Sequence, residues 1–362
     1  MNKIVFVNNP AASSGGALTI LKQFIEQVAQ KNKQISFFIF CSSNDLIKYE
    51  NQNIKMIVLN SSKNWFFRIY WDFYGLKRWS KKNGIIPSLI LSLQNTGVYN
   101  FKGIKQVVYL HQSLPYYKEY KWKLSKKEER PYWFYRNIYK YLIHLSLTKE
   151  TKIVVQSEWL KKRVSDLHNI KENNIYIIKP YVEANENRFI NNNLNSFVFF
   201  PASGQFYKNH QVLIKAASII KQYYGIKLIF MFTLSLESQY AIALQHLAKQ
   251  VGVDDQIAFV GNLPHEEVMK YYEDCSLVAF PSYIETFGLP LVEAASLLKP
   301  IVASDLEYAR EALEGYNGVT FVDHNDSQKW AESIFGMLKI QEVFSFNRKF
   351  NSNHSWLGII ME

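Results

Sequence analysis

The chain has 362 residues, 48% hydrophobic and 20% charged, with a formal net charge of +11. That length exceeds one ordinary core and suits two domains of roughly 150 to 200 residues, and the composition excludes a disordered chain. No apolar run approaches the roughly 20 residues of a spanning helix, while the positive charge favours a polyanion: nucleic acid, an anionic membrane surface or a phosphorylated substrate.

The opening MNKIVFVNNPAASSGG has only about five apolar positions before polar residues return, too few for a signal peptide. It reads as a first strand and points to a cytoplasmic protein. The small-residue stretch NNPAASSGGALTILKQF sets Gly15 and Gly16 just ahead of a first helix. Adjacent glycines are not the dinucleotide fingerprint, which argues against a dehydrogenase, and a plain tight turn accounts for them equally well. Next, ISFFIFC, IKMIVL, SLILSL and QVVYLH alternate with helical patterns such as LTILKQFIEQVAQ. That alternation predicts parallel strands joined by crossover helices. His111 closes the last of these runs, on the side where doubly wound sheets bind ligands. A lone histidine there is more often structural than catalytic.

Two segments of this first half, SSKNWFFRIYWDFYGLKRWSKKNG and YYKEYKWKLSKKEERPYWFYRNIYKYLIHLSLTK, interleave aromatic with basic residues. Such a mixture favours an anionic bilayer surface. Single-stranded nucleic acid would accept the same mixture, and part of the aromatics must serve as core; we expect the membrane surface and no nucleic acid. Cys41 and Cys275 lie in or beside apolar runs without metal or redox spacing and are expected as free buried thiols.

KPYVEANENRFINNNLNS is polar and asparagine-rich, the composition of a linker. We divide the chain into an N-terminal domain at 1–181, a linker at 182–196, a second domain at 197–345 and a C-terminal segment at 346–362. The second domain repeats the alternation with SFVFFPA, KLIFMF, QIAFVG, SLVAFPS, KPIVASD and GVTFV. In FFPASGQFYKNHQVLIKAA, Lys208 is expected at the head of an amphipathic helix, beside a loop where a diphosphate would need a cation. In PSYIETFGLPLVEAASLLKPIVASD, Glu285 and Glu293 flank a Phe-Gly-Leu-Pro turn. Gly288 lets the backbone approach a ligand, and a carboxylate can accept hydrogen bonds from two adjacent hydroxyls. On the residues alone, a solvated helix residue at 293 and a surface charge at 285 fit as well. His210 and His265 are expected at the surface.

The stretch FVGNLPHEEVMKYYEDCSLVAFPSYIETFGLPLVEAASLLKPIVASD resembles the C-terminal signature of the family 4 glycosyltransferases (glycosyl transferases group 1), the retaining GT-B enzymes. Its core is two glutamates separated by seven residues. The resemblance spans about 197–322 and is looser before that. It implies an α/β GT-B fold of two doubly wound Rossmann-like domains facing a central cleft. By position it implies that Glu285 contacts the donor sugar and Glu293 the nucleotide ribose, with Thr286, Phe287, Gly288 and Leu289 in the substrate-binding loop. Lys208 would stabilise the diphosphate. The family has an arginine where this chain has Ser203, so Ser203, Gln205 and backbone N–H groups would have to substitute. Gly15 and Gly16 match a loop near the donor phosphates and acceptor, and His111 a histidine close to the donor sugar.

The implied activity is that of a retaining, metal-independent hexosyltransferase with a nucleotide diphosphate-sugar as donor and no cofactor. Its acceptor would be a saccharide, lipid-linked, in cell-surface polysaccharide biosynthesis, with the enzyme peripheral at the inner face of the cell membrane. Two alternatives remain: a GT-B sugar-nucleotide epimerase, which needs no acceptor, or an inactive sugar-nucleotide-binding module. The missing arginine favours the latter, as does NSNHSWLGIIME, which resembles only the beginning of the family's last helix, one that crosses back to the first domain.

Overall fold

A computed structural model describes residues 3–10, 15–59, 65–118, 120–180, 197–340, 344–347 and 355–362. The chain separates into two units, Met1–Lys179 with Asn351–Glu362, and Pro180–Phe350. The expected linker at 182–196 lies outside the described residues.

Unit 1 is built on seven parallel strands: β1 (Lys3–Asn8), β2 (Ile35–Cys41), β3 (Ile54–Val58), β4 (Leu89–Ser92), β5 (Lys105–Tyr109), β6 (Lys152–Val155) and β7 (Ile175–Ile177). They lie in the order β3-β2-β1-β4-β5-β6-β7. Helices cover both faces of such a sheet, so its strands read as continuous apolar runs instead of alternating. In β1 the last four positions, Val5 to Asn8, are all buried. The aromatic segment at 65–83 is helical, with a wide turn at Trp71–Gly75. A Cβ on Gly75 would lie 2.6 Å from the Trp71 ring, so this turn requires glycine.

The C-terminal helix Trp356–Met361 belongs to unit 1. Ser355 Oγ caps it by accepting from Gly358 N at 3.1 Å. Trp356 packs edge-on against Phe24 and Tyr109, with ring centroids 5.8 and 5.5 Å away. Ile359 and Ile360 are buried in the same core. Lys152 Nζ pairs with Glu362 Oε2 at 2.5 Å, and Lys105 Nζ donates to the Glu362 carbonyl at 2.8 Å.

Unit 2 has six parallel strands: β8 (Val198–Phe200), β9 (Phe230–Phe232), β10 (Ile257–Phe259), β11 (Leu277–Phe280), β12 (Ile301–Ser304) and β13 (Val319–Val322). Their order is β10-β9-β8-β11-β12-β13. The helix His210–Tyr224 buries Val212, Leu213, Ile214, Ala216, Ala217 and Ile220, the 3–4 spacing of one amphipathic face. Each such Leu or Ile contributes about 1.5 to 3 kcal/mol on full burial. The helix ends at Gly225, whose φ of 65° lets its N–H reach the Lys221 carbonyl. The expected doubly wound α/β architecture is present in both units. Cys41 and Cys275 are both buried thiols outside any disulfide, as expected. Among the described residues no helix is long and apolar enough to cross a membrane.

Candidate functional site

In each unit the strand order reverses at one seam, β1 with β4 and β8 with β11. Loops leaving the carboxyl ends of such strands run in opposite directions and open a ligand crevice. At the unit 2 seam the two loops carry the residues singled out from the sequence. Loop 201–209 holds Ser203, Gln205 and Lys208; loop 281–288 holds Glu285, Thr286, Phe287 and Gly288, and Leu289 opens the helix Leu289–Ser296.

Lys208 does not head a helix. It ends the 3-10 turn Phe206–Lys208, and Asn209, left-handed at φ 60°, separates it from the helix His210–Tyr224. The buried Asn209 amide donates to the carbonyls of His324 at 2.7 Å and Pro281 at 3.5 Å. Tyr283 N donates to the Tyr207 carbonyl at 2.8 Å, so the loops are tied together twice. Between these ties Lys208 Nζ forms an ion pair with Glu285 Oε1. Ser282 Oγ donates to the same oxygen at 2.8 Å, and the ammonium lies 5.6 and 5.8 Å from the ring centroids of Tyr207 and Phe280. With side chains 12% and 15% exposed, the pair is screened less than a surface pair yet stays within reach of a ligand.

Gly288 is left-handed at φ 79°, and a Cβ there would lie 3.2 Å from the Tyr308 ring. The Tyr308 hydroxyl donates to the Ser282 carbonyl at 2.7 Å, so the ring that would crowd a side chain at 288 also fixes the loop carrying Glu285. Glu293 lies about one helical turn beyond Pro290 and is only 8% exposed, not a solvated helix residue. Its Oε1 is 3.0 Å from His265 Nε2, and its Oε2 accepts from the Tyr272 hydroxyl at 3.4 Å. The hydrogen bond to Glu293 raises the His265 imidazole above the ordinary histidine range. Burial, reinforced by the Glu293 charge, pushes the Tyr272 phenol well up. Ser203 Oγ donates to Gln205 Oε1, so the slot expected to carry an arginine holds two uncharged side chains bonded to each other.

The histidine expectations need correction. His265 is exposed, as expected, but bound to Glu293. His210 is fully buried, its ring centroid 4.6 and 5.1 Å from those of Phe200 and Phe232. Burial pushes its imidazole down to about 3, because the first turn of its helix faces the sheet.

In unit 1, Gly15 and Gly16 are the first two residues of the helix Gly15–Phe24; the loop residues 11–14 ahead of them lie outside the described residues. At the β1/β4 seam the carboxylate of Asp72 is buried and accepts from Asn8 Nδ2 at 2.9 Å, Gln94 Nε2 at 2.6 Å and Thr96 Oγ1 at 3.0 Å. Burial pushes its carboxyl up to about 7, against those hydrogen bonds and the Arg68 guanidinium. His111 follows β5, and burial together with Arg68 brings its imidazole down to about 4. The backbone N–H groups of His111 and Gln112 donate to Asn95 Oδ1 at 2.7 and 2.9 Å.

The structure therefore pairs Lys208 with Glu285 and places Gly288 and Glu293 on the loop and helix that follow. Sequence reasoning missed Asn209, Ser282, Tyr272 and Tyr308 around them. Only Asn209 carried a local signal, an asparagine before a helix being tolerant of the left-handed region; the others are set by long-range contacts.

Comparison with known proteins follows the same division. Residues 183–354 match the family model described as Glycosyl transferases group 1. The O-antigen chain mannosyltransferase RfbU of Salmonella typhimurium is 22% identical over 251 residues, 68% of each chain. The D-inositol 3-phosphate glycosyltransferase of Corynebacterium efficiens is 35% identical over 100 residues, 27% of this chain and 23% of that protein. Among solved structures, sucrose-phosphate synthase from Thermosynechococcus elongatus gives a TM-score of 0.70 at 15% identity, covering 94% of this chain and 90% of that one. Anabaena Alr3699/HepE in complex with UDP-glucose gives 0.62 at 16% identity, covering 93% and 90%. The structural likenesses establish the GT-B fold, and with curated relatives named as glycosyltransferases the chain is an enzyme of the glycosyl-transferring class.

Proposed function

We propose that the protein is a retaining glycosyltransferase of the family 4 type that moves a sugar from a nucleotide diphosphate-sugar to a lipid-linked saccharide during cell-surface polysaccharide assembly. The observation that carries this reading is the Lys208–Glu285 ion pair at the β8/β11 seam, with Glu293 buried on the adjoining helix. Lys208 holds the diphosphate and stabilises it as negative charge grows on the leaving group. The start of the helix Leu289–Ser296 adds a dipole favourable to an anion. Glu285, freed from the lysine, accepts hydrogen bonds from the transferred sugar. Glu293 accepts from the ribose hydroxyls, displacing His265. His111, at the carboxyl edge of unit 1, bonds a sugar oxygen. In this assignment the lysine and the backbone dipole do what a divalent ion does elsewhere, so no metal or other cofactor is required.

A nucleotide-sugar donor is supported by the match to the glycosyl transferases group 1 and by the likeness to Anabaena Alr3699/HepE, solved in complex with UDP-glucose. The polysaccharide setting rests on the O-antigen relative. A membrane-bound acceptor is supported by unit 1. Phe66, Tyr70 and Tyr74 are exposed on one helical segment, and Ile138, Tyr141 and Leu145 on another. Phe73 stacks on Tyr99 at 3.8 Å, and the Tyr99 hydroxyl donates to the Leu142 carbonyl at 3.5 Å, which sets the two segments side by side. With Lys77, Arg78, Lys81 and Lys82 nearby in sequence, this surface suits peripheral attachment to an anionic leaflet. The deciding experiment is a thermal-shift panel of UDP-, GDP- and ADP-sugars. A ligand of the folded state raises Tm by mass action; no shift with any sugar nucleotide at millimolar concentration sinks the assignment.

A further inference from the structure

We propose that Asn95 is a positioning residue that sets the tautomer of His111, so that the ring meets a sugar oxygen as a neutral Nδ1–H donor and not as a base. The second half of this statement rests on the reading of His111 given above; the first half stands on geometry alone.

Asn95 follows β4 with φ 72°, a left-handed conformation that asparagine tolerates. Its neighbours on both sides are anchored, Gln94 and Thr96 each donating to Asp72. The side chain is thereby aimed at the turn after β5, where its oxygen receives the N–H groups of both His111 and Gln112. Two donors converging on one atom identify that atom as the carbonyl oxygen, so the other end of the amide is the NH₂. That end lies 3.4 Å from His111 Nε2. An amide NH₂ can only donate, so Nε2 must accept and carries no proton. In a neutral imidazole the proton then sits on Nδ1.

Nδ1 is itself buried and has no hydrogen-bond partner among the described residues. A buried donor without an acceptor keeps its desolvation penalty until an acceptor arrives. A hydroxyl or ring oxygen of a sugar supplies one. Burial and the Arg68 guanidinium keep the ring neutral near pH 7, in agreement with the tautomer argument. Neither nitrogen is then available as a base: Nδ1 already holds a proton, and Nε2 faces the Asn95 amide.

The test uses the full chain labelled with 15N-histidine, with the His111 signals assigned by their loss in His111→Gln. Long-range 1H–15N spectra report which ring nitrogen bears the proton, and Nδ1 is expected. Asn95→Asp keeps the accepting oxygen and the tolerance of positive φ but turns an oxygen toward Nε2, so the proton should move to Nε2. A proton on Nε2 in the wild type, or an unchanged tautomer in Asn95→Asp, overturns the proposal. Affinity is then measured for the sugar nucleotide that gives the largest thermal shift, and for its nucleoside diphosphate. Asn95→Asp should weaken the former about tenfold and leave the latter unchanged. An inverted tautomer with unchanged sugar-nucleotide affinity upholds the role of Asn95 in setting the tautomer and overturns the placement of His111 at the sugar. If Asn95→Asp does not fold, His111→Asn, which offers an amide donor near the Nδ1 position, should retain more affinity than His111→Gln; the reverse order overturns the donor role.

Discussion

At the β8/β11 seam a lysine and a glutamate face each other across two loops, whereas at the β1/β4 seam one buried carboxylate is ringed by two amides and a hydroxyl. The same strand reversal produces both. In unit 2 the two charges are paired with each other across the seam, and in the proposed assignment they exchange partners, a diphosphate taking the lysine and a hydroxyl the glutamate. In unit 1 the hydrogen bonds of Asp72 converge on strand-end side chains of its own unit, holding Asn8, Gln94 and Thr96 in place. A switch point can thus be filled by groups that trade partners or by groups that hold a shape, and the two respond differently to mutation and pH.

Lys208→Ala strikes hardest at the side that trades partners. Turnover should fall about 10²- to 10³-fold, the loss typical of one preorganised transition-state donor. Steady-state kinetics near wild type would show that the phosphates are held elsewhere. Asp72 tests the side that holds a shape. Burial pushes its carboxyl up to about 7 in the folded chain, above its ordinary value near 4, so the folded state binds this proton more tightly than the unfolded one. Its contribution to stability is complete below pH 4 and is lost as pH rises through 7. Urea midpoints should show wild type losing on the order of 3 kcal/mol relative to Asp72→Asn between pH 4 and 8. A difference independent of pH would remove Asp72 from this account.

Glu293→Ala should weaken the nucleoside diphosphate about tenfold, the value of one or two hydrogen bonds to a charged group, while Glu285→Ala leaves that affinity intact and depresses turnover. Calorimetry giving equal nucleotide affinities for wild type and Glu293→Ala would overturn the assignment of the ribose to Glu293. The smallest effect belongs to His265. Its raised imidazole means that the bond to Glu293 is strongest below the ordinary histidine range and is lost as pH rises through the folded value. Nucleotide affinity should therefore rise a few-fold from pH 6 to 9 as Glu293 is released, a modest change because the ring is largely exposed. His265→Gln should flatten that slope; a slope unchanged in the variant places the titration elsewhere.

The strands were legible because parallel strands covered on both faces are written as unbroken apolar runs, as in SLVAFPS and KPIVASD. The Glu285 loop was legible because its turn requires a glycine, and Gly288 does adopt the left-handed region. His210 was not, since nothing local says that the first turn after a left-handed asparagine will face a sheet rather than water. Asp72 was hidden more deeply. It sits in an aromatic, basic helix that reads as membrane-facing, and its partners lie 64, 22 and 24 positions away, separations that only the completed sheet closes. The role of Asn95 has the same cause, because its bond to His111 spans two strands.

The C-terminal helix Trp356–Met361 carries a consequence for synthesis. Its Trp356, Ile359 and Ile360 complete a core whose other members come from the first half of the chain, and all of unit 2, Pro180–Phe350, is translated in between. At about 5 to 20 residues per second, unit 1 waits roughly ten to thirty seconds on the ribosome with the seat for Trp356 uncovered. Unit 2 is free to fold during that interval. A pause in translation after Phe350 would leave a finished second unit beside an unsealed first one, so exposure to chaperones and proteases should concentrate around Phe24 and Tyr109.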